Sequence, residues 1–231
     1  MFLYEIHMHT RETSRCGESD AAQMVKIYAD LGFSGLVVTD HFVNGYSKAA
    51  FPELWEDKVD AFLQGYRAAK KAGDALKIPV YLGWEYTLRR PYADDYLTLG
   101  LDEAFLYRAK DCHKWRFEEY AQAVHESGGI LIHAHPFRHI DYCRDSYVAP
   151  VGLVDAAEVY NGGNEEDKND FYALQYALDY HLPQTAGSDT HHVRTTNLGC
   201  IGFDENPADY RQLCSLIRSG KCHLIENPKV Y

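Results

Sequence analysis

The residues in this sequence best suited to chemistry begin at Tyr4-Glu5-Ile6-His7-Met8-His9-Thr10. Side chains alternate faces along a strand, so His7 and His9 at i and i+2 project the same way while Ile6 and Met8 point oppositely. Neutral imidazole is the commonest side-chain metal ligand, and two on one face of a strand end can grip one ion with little loss of freedom. A chain with 12 His also produces H-x-H by chance, so the pair gains meaning from its company. Four later apolar runs each end in a carboxylate or His of ligand type: Thr39-Asp40-His41, Gly83-Trp84-Glu85, His133-Ala134-His135-Pro136 and Gly187-Ser188-Asp189-Thr190-His191. Mixed His and carboxylate ligands, without a compact four-cysteine or Cys/His motif, suit Zn, Mn or Fe in an open catalytic site more than a structural one.

The elements that must position these residues follow from periodicity and from start and stop signals. Asp20 with Gln23 three residues on predicts a helix start, and Gly32 its stop. Gly35 to Thr39 is an unalternating apolar run of strand length, which suits a strand buried on both faces. A helix is expected over roughly Glu53 to Lys71, closed by Gly73 and Pro79, followed by a strand from Pro79 to Gly83. Asp95 to Gly100 alternates and reads as a fourth strand, and Asp102 to Lys114 as a short helix with a loop. A helix from Trp115 stops at Gly128-Gly129, and Ile130 to Ile132 forms a strand delivering His133 and His135. A strand around Ala157 to Tyr160, a helix capped by Asn164 and a strand from Pro183 to Ala186 come next. The last helix is expected to have Asn206 as cap, Pro207 at its first position and Gly220 after its end. Strands alternating with helices imply βα units and a parallel sheet of about seven strands. A closed barrel puts all strand C-termini on one rim, where βα-barrel active sites are built. The candidate ligands occupy those ends.

Composition bounds the rest. A chain of 231 residues fits a single domain, residues 1–231, at a size α/β barrels commonly reach. Hydrophobic residues at 46% and aromatics at 13% describe a globular protein. The net charge of -11 argues against binding a nucleic-acid polymer, because phosphate backbones are held by clustered Lys and Arg. With no signal-peptide pattern and no bilayer-length apolar run, the expectation is a soluble cytoplasmic protein without a membrane partner. Cys16, Cys112, Cys143, Cys200, Cys214 and Cys222 form no C-x-x-C pair and are expected to be reduced thiols. Oligomeric state is not written in the sequence.

Taken together and in order, H-x-H, T-D-H, a strand-end G-x-E, A-H-P and S-D-x-H resemble the PHP (polymerase and histidinol phosphatase) family over nearly the whole chain. The resemblance implies an α/β fold, a distorted (β/α)7 TIM-like barrel of PHP type. It also implies two or three divalent metal ions (Mn, Zn or Fe) and hydrolysis of phosphate esters through a metal-bound hydroxide. Carried over by residue, His7, His9, Glu85 and Asp189 match the ligands of the buried metal pair, with Glu85 bridging. His135 matches a ligand of the second ion, and His41 and His191 match ligands of a third. Two positions depart from the family pattern. Asp95 stands where many members have His, and carboxylate remains a competent ligand. In the loop after H-x-H, where many have Asp or His, this chain offers Glu12 or Cys16. Chemistry agrees, since two ions about 4 Å apart can share a hydroxide and hold both attacking and leaving oxygens.

Asp40 is a candidate catalytic group or an acceptor that orients His41. Arg11, Arg138 and Arg194 lie beside ligand motifs and could fork onto a substrate phosphate, Arg138 also as a catalytic group; a solvated rim charge is the alternative for each. His133 reads as a hydrogen-bonding neighbour, and His113, His125, His139, His181, His192 and His223 as surface or structural residues. The expected activity is a metal-dependent phosphoesterase acting on a small phosphorylated metabolite or nucleotide. Histidinol-phosphate phosphatase is a narrower version. An amidohydrolase-type C–N hydrolase, whose barrel also begins with H-x-H, and a non-catalytic domain accompanying a polymerase are the competing classes.

Overall fold

The structure is a computed structural model that describes residues 1–88, 94–138, 152–194 and 197–228. His139 and Cys143, named above, lie outside the described residues. Its strands are β1 (Phe2–Glu5), β2 (Gly35–Val38), β3 (Val80–Leu88), β4 (Asp94–Leu99), β5 (Ile130–Ala134), β6 (Ala156–Asn161), β7 (Gln184–Gly187), β8 (Gly199–Phe203) and β9 (His223–Glu226). Its helices are α1 (Ala21–Asp30), α2 (Trp55–Leu76), α3 (Glu103–Arg108), α4 (Phe117–Glu126), α5 (Asp167–Asp179) and α6 (Tyr210–Arg218).

The strands join in one sheet in the order β7-β6-β5-β4-β3-β2-β1-β8-β9. Pairs β1–β2, β2–β3, β5–β6 and β6–β7 are parallel, as the βα pattern requires. The expected fourth strand, β4, runs antiparallel to both its neighbours. Only residues 89–93 separate it from β3, and a parallel return needs a connection of about a dozen residues or more.

The sheet is rolled. Tyr4 and Ile6, Val37 of β2, Leu97 of β4, Ile132 of β5 and Ile201 of β8 share one apolar cluster although several of their strands are not neighbours. Leu213 and Ile217 of α6 complete that cluster. Closure is nearly reached at a seam. β1 pairs with β8 through Phe2–Tyr4 and then, past its end, forms a parallel bridge from Met8 to Thr190 beyond β7. Ser188 Oγ donates to Gly199 O at 2.8 Å and ties the end of β7 to the start of β8. The result is the distorted α/β barrel expected from the sequence.

A second cluster, rich in aromatics, fixes β3 against α2 and α4. Trp84 and Tyr86 pack with Phe42, Phe62 and Tyr120, and the Trp84 indole N–H donates to the Tyr120 hydroxyl at 2.6 Å. Burial of each large ring stabilises by about 1.5–3 kcal/mol. Glu85 lies between these two locked side chains.

Local signals explain most boundaries. Asp20 caps α1, accepting from Gln23 N at 2.9 Å. Helix α2 runs through Gly73 to Leu76. A Cβ at Gly73 would lie 2.5 Å from Val80 Cγ2, so this glycine allows close helix–strand approach and does not end the helix. Helix α6 starts at Tyr210 with Asp209 as its cap, while Asn206 accepts from the Tyr4 hydroxyl at 2.7 Å. Asn164 donates to Asp170 at 2.6 Å and is not the cap of α5. Among the described residues, no helix is long and apolar enough to cross a membrane.

Candidate metal centre

The strand ends bring the expected ligands together around Glu85. Its Oε1 lies 3.5 Å from His7 Nε2 and 2.9 Å from His135 Nε2. Its Oε2 lies 3.5 Å from His9 Nε2 and 2.6 Å from His41 Nδ1. Asp189 Oδ1 stands 3.4 Å from His7 Nε2, 3.0 Å from His9 Nε2 and 3.8 Å from His191 Nε2. Three overlapping groups each have ligand atoms within 4.8 Å of one another: His7, Glu85 and His135; His7, His9 and Asp189; and His9, Cys16, His41 and His191. His7 Nε2, His9 Nε2, His41 Nδ1 and Glu85 Oε2 are buried, and although they crowd one another none makes a hydrogen bond of good geometry. Leaving such atoms without a partner costs about 1–3 kcal/mol each. Imidazole nitrogens and carboxylate oxygens gathered in this way fit a divalent cation.

Backbone and neighbours aim these side chains. His135, directly after β5, and Asp189, two residues past β7, have φ of 28° and 52°, an unusual conformation for non-glycine residues that costs about 1–3 kcal/mol. Gly187 admits the approach, since a Cβ there would lie 2.6 Å from the Cβ of His7. Glu158 Oε1 sits 3.0 Å from His7 Nδ1, turning Nε2 toward the centre, and Glu158 Oε2 accepts from His135 N at 2.9 Å. His9 Nδ1 sits 3.2 Å from Ser14 Oγ, which donates to Asp40 at 2.6 Å. Glu5 accepts from His7 N at 2.8 Å and from the Tyr28 hydroxyl at 2.8 Å, and burial pushes its carboxyl up to about 7. Burial works against ionising Glu85, but His41, His135 and His7 outweigh it and hold the carboxyl well below the usual range. Asp189 is held down in the same way, chiefly by His7 and Arg138.

Glu5 and Glu158 were not among the sequence candidates. Each is a carboxylate inside an apolar strand, Tyr4-Glu5-Ile6 and Ala157-Glu158-Val159, and a buried charge demands partners. That was the available signal.

Several expected site residues lie elsewhere. The Glu12 carboxylate accepts from Ala21 N at 3.0 Å, at the start of α1, where backbone N–H groups draw an anion. Cys16, the other choice, is the one brought to His41 and His191. Asp40 is buried under the turn after H-x-H, accepting from Thr10 N, Thr10 Oγ1 and Ser14 Oγ at 2.6 Å each. Asp95 accepts from Thr87 Oγ1 at 2.6 Å and stands outside the three ligand groups; burial and the charge of Glu85 push it up to about 7. Arg11 is exposed and lies 3.5 Å from Asp20 on the surface. Arg138 is engaged within the protein, donating to Asp189 Oδ2 at 2.6 Å, to Asn164 at 2.8 Å and to Asn161. Arg194 lines a cavity of about 270 Å³ with Asp189, His191 and Gly163, which leaves it beside the cluster.

Four other His among the described residues have partners of their own. His133 stacks on Tyr96 and contacts the Tyr176 hydroxyl at 3.3 Å, His113 stacks on Trp55, and His125 and His223 pair with Asp155 and Asp204.

No family model matches the chain, and no curated protein matches it. Solved structures do. The chain is similar to a two-domain protein from Bacteroides vulgatus containing a predicted PHP-like metal-dependent phosphoesterase, at TM-score 0.69 and 15% identity, over 97% of this chain and 64% of that one. It is similar to a candidate metal-dependent phosphoesterase from Bifidobacterium adolescentis, at TM-score 0.60 and 18% identity, over 93% and 96% of the two chains. A lesion-specific endonuclease from Pyrococcus furiosus matches at TM-score 0.57 and 12% identity, over 96% of this chain and 57% of that one. These likenesses establish the architecture on which the cluster is mounted: the chain has the PHP-type barrel fold.

Proposed function

We propose that this protein is a member of the PHP family and a metal-dependent phosphoesterase acting on a small phosphorylated metabolite or nucleotide. One observation carries the reading. Glu85 presents one oxygen to His7 and His135 and the other to His9, with His41 at its outer side, so each oxygen would serve a different ion of a bound pair. His7, His9, Glu85, His135 and Asp189 would hold that pair, and His41, His191 and Cys16 a third ion, the metals being Mn, Zn or Fe. When bound, such a pair supplies an activated water and neutralises the charge of a transferring phosphoryl group.

The protein's own residues do the rest. Glu158 and Ser14 hold His7 and His9 in orientation, and Arg138 fixes Asp189 Oδ2 so that Oδ1 faces the imidazoles. Arg194 stands in the cavity beside Asp189 as the cation for a substrate phosphate. The overall charge of -11 supports a compact substrate over a nucleic-acid polymer, although one protein of this fold is an endonuclease. Five free cysteines among the described residues agree with a cytoplasmic setting.

The test is a substrate panel with added Mn or Zn: p-nitrophenyl phosphate, its diester analogue, nucleotide phosphates, histidinol phosphate, a dihydroorotate-like cyclic amide and single-stranded DNA. Chelator-sensitive turnover of a small phosphate ester is expected. Turnover of the cyclic amide with none of any phosphate ester would replace the assignment with C–N hydrolysis.

A further inference from the structure

The loop between β1 and α1 carries a sulfur to the edge of the cluster. Cys16 shares a group with His41, His191 and His9 whose ligand atoms all lie within 4.8 Å of one another. The rings of His41 and His191 each lie 4.5 Å from that of His9, so the two imidazoles flank the inner site from the loop side.

The position of Cys16 is built by the backbone around it. Ser14 N donates to Thr10 O at 3.0 Å and Arg15 N to Tyr46 O at 2.9 Å, which ties the loop to the segment following His41. On its other side Glu18 N donates to His191 O at 2.8 Å. Gly17 is packed so closely that a Cβ would lie 2.4 Å from Thr10 O. The Arg15 guanidinium sits 4.8 Å from the centre of the Tyr46 ring. The loop is thus fastened to the two segments that carry His41 and His191, and Cys16 is the residue between the fastenings.

We propose that Cys16, His41 and His191 form a thiolate and bis-imidazole site that selects zinc over manganese, making this edge of the cluster chemically distinct from the carboxylate-bridged pair. The proposal rests on the reading of the cluster as a metal centre, and is independent of which bond the enzyme cleaves. Soft thiolate ligands favour zinc, whereas carboxylate oxygens suit manganese and magnesium. Glu85 and Asp189 supply oxygen to the inner positions; Cys16 supplies sulfur to the outer one. A thiol deprotonates on coordination, so its negative charge offsets half that of a divalent ion without a second carboxylate. The consequence is a mixed-metal protein that keeps one zinc while its inner positions take the available hard ion.

The test uses the full chain stripped of metal with a chelator and titrated with cobalt(II). Wild type is expected to develop a near-ultraviolet sulfur-to-cobalt charge-transfer band that saturates at one ion per chain. Cys16→Ser is expected to lose this band while keeping the visible d–d absorption of the inner ions. In equilibrium dialysis against limiting zinc and excess manganese, wild type should retain one zinc per chain. Cys16→Asp should lower the zinc-over-manganese preference at that position by about tenfold or more, the scale on which even indirect partners of metal ligands act. A wild type with d–d absorption but no charge-transfer band, a band that persists in Cys16→Ser, or an unchanged preference in Cys16→Asp would overturn the proposal. No cobalt absorption of any kind would overturn both it and the metal-centre reading beneath it.

Discussion

The candidate ligands of the cluster come from two kinds of place, and the contrast between them is instructive. His7, His9, Glu85, His135 and Asp189 sit on or just past strands and are almost wholly buried. His41, His191 and Cys16 sit farther out on connections and are only partly buried. Strand ends are placed by the sheet, so their side chains are fixed by the same packing that makes the barrel. The outer residues are placed by a few backbone hydrogen bonds between loops. Precision in the first region is a property of the fold; in the second it is a property of a handful of local contacts.

Substitutions should separate the two regions. The largest effect is expected for Glu85→Gln. A neutral amide cannot bridge two cations, so kcat/KM should fall on the order of 10³-fold, several kcal/mol of charge stabilisation, with the far-UV spectrum retained. Near-normal turnover at saturating Mn would remove the distinction between inner and outer regions altogether. Next comes Glu158→Gln, which loosens the inner region from behind. It should weaken metal affinity by about 10–100-fold in a competitive chelator titration, and it should leave the Cys16 side intact. Equal weakening at both would show that the regions are one unit.

Gly65→Ala probes the floor on which the outer loop rests. A Cβ on this α2 residue would lie 2.1 Å from Thr10 Oγ1 and 2.4 Å from Asp40 Oδ2; Thr10 begins the turn that leads to Ser14 and Cys16, and Asp40 accepts from both Thr10 and Ser14. Thermal unfolding should show a loss of about 1–3 kcal/mol; an unchanged Tm would mean that the loop does not depend on α2. Smallest of all, Arg11→Ala should alter kcat/KM by about twofold or less, because its guanidinium is exposed and pairs with Asp20 at 3.5 Å. A much larger loss would bring Arg11 back to the substrate.

The same division sets what the sequence could reveal. H-x-H at alternating positions, and apolar runs ending in Glu85, His135 and Asp189, are legible because strand periodicity dictates where the side chains go. Loop paths have no period. The choice between Glu12 and Cys16 stays open for that reason; in the structure Glu12 accepts from Ala21 N at a helix N-terminus, while Cys16 stands with His41 and His191. Asp40 reads in the sequence as a catalytic group or as an acceptor for His41 because it adjoins His41, whereas the hydrogen bonds of its carboxyl run to Thr10 and Ser14 in the turn after H-x-H. Glu5 and Glu158 are hard to read from sequence because a single charge in an apolar run looks like an interruption, whereas here each one organises the residues around it. The reversed direction of β4 was implicit in its short connection to β3, which periodicity alone does not weigh. Gly73 shows that a glycine can serve approach as well as termination.

The seam of the barrel has a mechanical consequence. Where β1 leaves β8, closure at the mouth rests on the bridge from Met8 to Thr190, including the hydrogen bond from His9 N to Thr190 O at 2.9 Å. A short stretch of backbone pairing beside loops belongs to the low-energy end of local opening. His7 and His9 stand on one lip of this seam and Asp189 on the other, so whatever is gripped between them also acts as a clasp. Opening the barrel there would tear the gripped group from its ligands, and losing the group would leave the lips freer to part. Amide exchange at His9 and the neighbouring backbone should therefore quicken on chelation before the rest of the sheet responds, making the mouth the first part of the barrel to breathe.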